Sequence, residues 1–224
     1  MPVDQKKYTS KLVWYASYGS NLKRERFFCY IKGGTPQGST RSKPYVGCRD
    51  KTDPIDSRSI SLKFELYFAG QSPTWGNSGI AFIRDLENTE QIPALGRMYL
   101  ITDEQFNDVV MQENSKSGAS SRLVPDFQQL VSQKQMPLGN NLWYGKLLNV
   151  GSEGGYPILT FTTNRSDLKQ PTAPSEQYIK VIASGIKETY PHMSDDDVAA
   201  YLLRADGLRG QVDQPKIRGW VAGA

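Results

Sequence analysis

The stretch Trp14-Tyr15-Ala16-Ser17-Tyr18-Gly19-Ser20-Asn21-Leu22 decides how this chain folds. Its aromatic and apolar part predicts a buried strand that ends near Tyr18, because such side chains suit a pleated, packed surface. Gly19-Ser20-Asn21 interrupts the strand, since these residue types tolerate unusual backbone angles and form local hydrogen bonds. Residues 22–30 contain helix formers and predict a helix. A strand–turn–helix unit of this kind presents backbone N–H groups to an anionic group, although ordinary connectors share the same short sequence.

Composition places the chain among globular proteins. It has 224 residues, of which 38% are hydrophobic and 11% aromatic, and no Pro/Ser/Gly linker divides it. These features predict a single domain spanning residues 1–224. The net charge of +4 is small, and its densest basic group, Lys23, Arg24 and Arg26, is interpreted as a solvated helix face. We therefore expect no nucleic-acid partner.

Several classes of site and compartment are not favoured. No stretch reaches the roughly 18 apolar residues of a membrane span, and the first residues lack the apolar core of a secretory signal. With two cysteines, no disulfide framework is expected, and a cytoplasmic protein without a membrane partner is predicted. The single histidine, His192, argues against most zinc hydrolase sites. We expect neither a metal nor a cofactor.

The remaining pattern predicts a mixed architecture. Strands are expected over residues 62–69, 79–84, 94–102, 142–150 and 156–163, and helices over 102–113, near 174–190 and from 194. Segments of about 33–61 and 115–139 are polar and are predicted as loop excursions. Strands and helices in this order indicate an α+β or mixed α/β fold with a curled sheet.

Glu113 is the candidate acid–base residue. Thr102 and Gln105 form a predicted capping box for its helix. Counting from Phe106, the face that continues through Val109 and Val110 reaches Glu113 at the next apolar position. A carboxylate drawn towards a core has a raised pKa and suits proton transfer near neutral pH. The alternative is a helix that frays at its end and leaves this side chain in water.

Four local sequences, in order, resemble the γ-glutamylcyclotransferase-like family. Tyr15–Leu22 resembles its YxxYGSNL signature, and Thr74-Trp75 followed by Gly79-Ile80-Ala81 resembles its Trp-containing turn and following strand. Gln112-Glu113 falls where the family has its catalytic Glu, and 173–180 resembles its Pro-Ser-x-x-Tyr helix start. The family pattern continues with Gly after the Glu, whereas this chain has Asn114.

The resemblance implies a curled β-sheet or barrel packed with helices, and a cofactor-free intramolecular aminolysis. In that reaction the α-amine of a γ-glutamyl group closes 5-oxoproline and releases an amine or amino acid. Glu113 is implied as general acid and base. The implied substrate-binding residues are Tyr18, Gly19, Ser20, Asn21, Leu22 and Tyr178.

Other interpretations of the same residues remain open. Tyr18 and Tyr178 are equally compatible with core positions whose hydroxyls find a partner. The pocket is also compatible with a non-catalytic module that binds or sequesters a small anionic metabolite, or with an unused cavity in a scaffold. For the binding module, the basic residues of the 33–61 segment are expected to form a lid; they are Arg41, Lys43, Arg49, Lys51 and Arg58.

Overall fold

The computed structural model describes residues 11–36, 44–86, 92–114 and 125–224. The strands in these ranges are β1 (Leu12–Ser17), β2 (Asp56–Leu62), β3 (Phe64–Ser72), β4 (Ser78–Asp85), β5 (Ala94–Thr102), β6 (Gln135–Pro137), β7 (Lys146–Glu153) and β8 (Tyr156–Thr162). The α-helices are α1 (Arg24–Lys32), α2 (Asp103–Asn114), α3 (Phe127–Gln133), α4 (Glu176–Thr189), α5 (Asp195–Leu203) and α6 (Gln214–Ala222). The predicted mixed α/β class is confirmed.

The sheet is built around β1. Its order is β2-β5-β1-β8-β7-β6, with β1 antiparallel to β5 and parallel to β8. Residues 13–17 of β1 are all buried, which explains why this strand reads as an unbroken apolar run rather than an alternating one. The β3–β4 hairpin lies beside β8, where the Thr162 hydroxyl donates to the Ile83 carbonyl at 2.7 Å. Sheet and hairpin together form a curled body, and β1 delivers the Gly19–Asn21 turn at one end of it.

The turn leads into α1 less directly than the sequence predicts. Ser20–Leu22 is a short 3-10 turn, Lys23 is extended, and α1 begins at Arg24. Helix α4 packs onto this turn at Gly185, where an added Cβ would lie 2.4 Å from the Lys23 nitrogen. A glycine is therefore required at this close approach of two backbones. The packing fixes the turn relative to the start of α4.

Two segments predicted as loops contain regular structure. Asp56–Leu62 forms the edge strand β2, which pairs with β5 throughout its length. Its sequence, DSRSISL, is polar because most of its side chains are exposed, so it lacks the apolar alternation that identifies a strand. In the 115–139 segment, residues 125–139 include α3 and β6, and the part from 115 to 124 lies outside the described residues.

The helix boundaries follow the predicted capping chemistry. The Gln105 N–H donates to Thr102 Oγ1 at 3.1 Å, and the Thr102 N–H donates to Gln105 Oε1 at 3.0 Å. This reciprocal pair is the predicted capping box. Ser175 caps α4 by accepting from the Tyr178 N–H at 3.3 Å. No helix in the described ranges is both long and apolar enough to span a membrane.

Candidate functional site

The turn after β1 and the end of α2 are joined directly. Asn21 Nδ2 donates to Glu113 Oε1 at 2.9 Å, across 92 positions of sequence. The same nitrogen donates to the Tyr15 hydroxyl at 3.1 Å. The two features that the sequence singles out separately therefore meet at one hydrogen bond.

Helix periodicity explains how Glu113 arrives there. Phe106, Val109 and Val110 are fully buried on the inner face of α2, and Glu113 is half-buried one turn later. The helix does not fray before this residue, because it continues to Asn114. The Asn114 side chain is itself fully buried and clips the helix end to Tyr144, accepting from its N–H at 3.0 Å and donating to its carbonyl at 3.2 Å. Asn114, which directly follows Glu113, is therefore fixed in place at the end of α2.

A cavity separates the turn, the end of α2, the start of β4 and Tyr178. Its volume is about 70 Å³, against roughly 10–15 Å³ for one enclosed water molecule. Both residues of the predicted Thr74-Trp75 turn line it. The cavity is therefore several times larger than the space that one enclosed water molecule needs.

Six of the seven candidate site residues line this cavity: Tyr18, Gly19, Ser20, Asn21, Glu113 and Tyr178. Leu22 does not. Its side chain is 1% exposed and lies against Gly185 of α4, so it belongs to the core beneath the turn. The signature leucine serves packing here, and the expectation that it contacts a ligand is not supported by its position.

The two tyrosines differ in how their hydroxyls are used. The Tyr18 hydroxyl donates to the Phe161 carbonyl at 2.6 Å, so Tyr18 supplies a wall of the cavity. The Tyr178 hydroxyl oxygen accepts from the Ala81 N–H at 3.1 Å. Burial raises the pKa of Tyr178 to about 12, so its phenol stays neutral at physiological pH. An added Cβ at Gly19 would lie 3.3 Å from this hydroxyl, which shows how closely the turn approaches it.

Arg26 is a cavity residue that the sequence analysis assigned to the solvated surface. Its side chain is 4% exposed and lies in the wall of the cavity. Nε donates to Ser20 Oγ at 2.7 Å and Nη2 donates to the Tyr45 hydroxyl at 2.8 Å. The one available signal was the predicted helix over residues 22–30, which places Arg26 one turn after Leu22, although α1 itself begins only at Arg24.

Tyr45 is another lining residue that sequence reasoning missed. It lies in the segment predicted as an excursion, where no periodic pattern marks it. Gly34 and Tyr45 exchange backbone hydrogen bonds at 3.0 and 2.7 Å, which pins this segment beside α1. The Tyr45 ring packs against that of Tyr30 in a tilted arrangement, with centroids 4.3 Å apart.

The basic residues of this segment do not form the predicted lid where the structure describes them. Arg49 pairs with Asp108 at 2.9 Å, and Arg58 pairs with Glu153 at 2.9 Å. Lys51 donates to backbone carbonyls near the end of α1. None of these three lines the cavity, because acidic or carbonyl partners hold them elsewhere. Arg41 and Lys43 lie outside the described residues.

The charges of the cavity are few. Among the described lining residues, Arg26 is the one cationic side chain and Glu113 the one anionic side chain. Within the described ranges, no group of three or more His, Cys, Asp or Glu side chains is arranged to hold a metal ion. The arrangement offers one acid–base carboxylate, one buried cation and an amide side chain that is bonded to the carboxylate.

Known proteins that are similar to this chain include one sequence relative and two solved structures. Histone deacetylase 5 of Arabidopsis thaliana is 35% identical over 207 residues, covering 86% of this chain and 30% of that protein. The chain thus spans less than a third of that relative's length. No established family profile matches.

Two solved structures show weaker likeness. A gamma-glutamyl cyclotransferase aligns with a TM-score of 0.47 and 17% identity, covering 95% of this chain and 99% of that chain. An uncharacterized protein of Homo sapiens aligns with a TM-score of 0.44 and 18% identity, covering 81% and 82%. The chemistry of this chain therefore rests on its own residues.

Proposed function

We propose that this chain is a γ-glutamylcyclotransferase-like enzyme that closes a γ-glutamyl group to 5-oxoproline and releases an amine or amino acid. The observation that carries the proposal is the 2.9 Å hydrogen bond between Asn21 and Glu113, which puts a carboxylate and a turn rich in backbone N–H groups into one cavity. Four sequence motifs in family order support the same reaction.

Glu113 is the proposed proton carrier. The substrate ammonium gives one proton to the carboxylate before its nitrogen attacks the γ-carbonyl carbon. After the new C–N bond forms, the ring nitrogen gives up a second proton. The leaving nitrogen takes up one proton as its C–N bond breaks, and another as it becomes an ammonium. Two protons leave and two are taken up, so the reaction requires no oxidant or reductant.

The turn is proposed to stabilise the oxyanion. The first hydrogen bond within the 3-10 turn runs from the Leu22 N–H to the Gly19 carbonyl. The N–H groups of Gly19, Ser20 and Asn21 precede that bond and have no partner inside the turn. Donors that are fixed in place before the reaction stabilise developing charge without reorganisation.

Positioning supplies the remaining acceleration. Ring closure is unimolecular, so a cavity that holds the amine near its own γ-carbonyl removes much of the entropic barrier. Tyr178, fixed by Ala81, is the proposed orienting hydroxyl. The aromatic ring of Trp75, 4.6 Å from that of Tyr178, closes the same side of the cavity.

The test is a mass-spectrometric screen of γ-glutamyl amines and dipeptides for 5-oxoproline release. Wild-type protein should release 5-oxoproline from at least one compound, and Glu113→Gln should abolish the release while largely preserving binding. Tight binding without product from any compound would instead identify a binding module. The deacetylase activity named for the Arabidopsis relative is not proposed here, because the match spans 30% of that protein.

A further inference from the structure

The guanidinium of Arg26 is buried with an unused donor. Nε and Nη2 are bound to the hydroxyls of Ser20 and Tyr45, but Nη1 has no hydrogen-bond partner in this structure. The side chain is enclosed by aromatic rings, and its central carbon lies 5.0 Å from the Trp75 ring centroid and 5.7 Å from that of Tyr30. The Arg26 side chain lies in the wall of the proposed active site, with Nη1 buried behind the cavity surface.

This arrangement is costly unless an anion completes it. Removing a cation from water is unfavourable when no opposite charge binds it, and a buried donor without an acceptor adds to that cost. None of the ion pairs among the described residues involves Arg26, and its two bonded partners are hydroxyls. Burial alone lowers the pKa of Arg26. The pKa is nevertheless raised overall, because nearby tyrosines and Glu113 favour the charged form.

A second unpartnered polar atom lies in the same cavity. Asn21 is 4% exposed. Its Nδ2 donates to the Tyr15 hydroxyl and to Glu113 Oε1, whereas its Oδ1 is buried without a hydrogen-bond partner. The cavity therefore offers free N–H donors on a cation, a free carbonyl oxygen and a carboxylate. A carboxylate together with an amine on neighbouring atoms is complementary to this set.

We propose that Arg26 anchors the α-carboxylate of the ligand through Nη1, and that Asn21 Oδ1 accepts from its α-amine. The inference rests on the proposed function and assigns the residues that select an unblocked α-amino acid head group. A carboxylate suits the site better than a phosphate, since a dianion would be repelled by Glu113 in the same cavity. With the carboxylate on Arg26, the backbone N–H groups of residues 19–21 remain for the oxyanion.

The first test needs no variant. Wild-type protein is titrated by calorimetry with L-5-oxoproline and with its carboxamide, two unreactive ligands that differ in the carboxylate alone. The acid should bind at least about tenfold more tightly than the amide, since a hydrogen bond to a charged partner is the stronger kind. Equal affinities, or no binding of the acid up to its solubility limit, would overturn the proposal.

The second test assigns the preference to Arg26. In Arg26→Gln the acid and the amide should bind within about twofold of each other, and Arg26→Lys should recover part of the preference because it restores charge without the planar fork. Arg24→Gln is the matched control, as Arg24 lies two residues away on the exposed side of α1. It should keep the wild-type preference. A full acid preference in Arg26→Gln would contradict the assignment.

The two proposals fail in different ways. If wild-type protein releases no 5-oxoproline but still prefers the acid, the reaction is wrong and the carboxylate subsite stands. If it releases 5-oxoproline but binds acid and amide equally, the reaction stands and the Arg26 subsite is wrong. If Arg26→Gln does not fold, Arg26→Lys makes the assignment, and a full wild-type acid preference in Arg26→Lys would contradict it.

Discussion

At the scale of single residues, Asn21 connects the parts of the site. Its amide nitrogen donates to the Glu113 carboxylate at 2.9 Å and to the Tyr15 hydroxyl at 3.1 Å, while its oxygen is buried without a hydrogen-bond partner. These contacts give a physical reason for an asparagine at the end of the Gly19–Asn21 turn. An amide donates to a carboxylate through its nitrogen and offers a separate acceptor atom, its oxygen, beside it.

Replacing Asn21 should therefore impair the reaction without unfolding the protein. We expect Asn21→Ala to lower the rate of 5-oxoproline release about tenfold to a hundredfold, because a hydrogen bond to a charged group contributes about 1.5–3 kcal/mol. Asn164→Ala is the control, since Asn164 is exposed and bonded to Asn140. Steady-state kinetics check both variants. An Asn21→Ala enzyme as active as the control would show that Glu113 needs no such support.

Some residues of this site are predictable from residue type and spacing, and others are not. Glu113 is predictable because it stands at an apolar position of a periodic helix, and the turn is predictable from its backbone chemistry. Arg26 is not, since an arginine beside Lys23 and Arg24 is typical of a solvated face. Its burial depends on Ser20 and on Tyr45, a residue in a segment without periodicity. Side chains that meet only through tertiary contacts leave no periodic pattern in the local sequence.

At the scale of elements, the site depends on how α4 sits against the turn after β1. The contact is backbone to backbone: a Cβ on Gly185 would lie 2.5 Å from the Leu22 carbonyl carbon. The same helix carries Tyr178, which bonds to β4 through the Ala81 N–H. One helix therefore sets the distance between the turn and the opposite wall of the cavity.

A pair of helical glycines tests this dependence. Gly185→Ala should destabilise the protein by about 1–3 kcal/mol, because the added methyl meets backbone that must move. Gly219→Ala, in α6, adds a methyl that meets nothing within 4 Å and should stabilise by about 0.5–1 kcal/mol. Urea unfolding measures both. Equal effects of the two substitutions would mean that the approach of α4 to the turn is not tight.

Elements with their own periodicity are predictable, and those held by neighbours are not. β1, β4, β5 and α2 all follow apolar patterns or caps. Strand β2 is not predictable from its sequence, because an edge strand with exposed side chains needs only backbone pairing with β5 to form. Asn114 shows the same limit: where the family pattern has glycine, this chain places a buried asparagine that fixes Tyr144.

At the scale of the whole molecule, buried tyrosines tie stability to alkaline pH. Burial raises the pKa of Tyr99 to about 12, and burial likewise raises that of Tyr178 to about 12, from a reference value of 10.0. Both phenols are therefore neutral in the folded state over a wider range than in the unfolded chain. Their contribution to stability is complete below pH 10 and is lost as the pH rises from about 10 to about 12.

We expect alkaline unfolding and ionisation of the buried tyrosines to coincide. A spectrophotometric titration of the 12 tyrosines should show an early phase from the less buried phenols and a later, cooperative phase. The later phase should match the loss of far-ultraviolet circular dichroism. If all the tyrosines ionise near pH 10 while the dichroism is unchanged, the phenols around the cavity are not buried as described.

The central claim is that Glu113 moves protons for a ligand held against the Gly19–Asn21 turn. Its most direct test is the rate of 5-oxoproline release by Glu113→Gln, compared with Glu104→Gln as the control. Glu104 lies in the first turn of the same helix, in an exposed pair with Arg49. We predict a loss of about a hundredfold to ten-thousandfold for Glu113→Gln and wild-type release for Glu104→Gln. Undiminished release by Glu113→Gln would contradict the account.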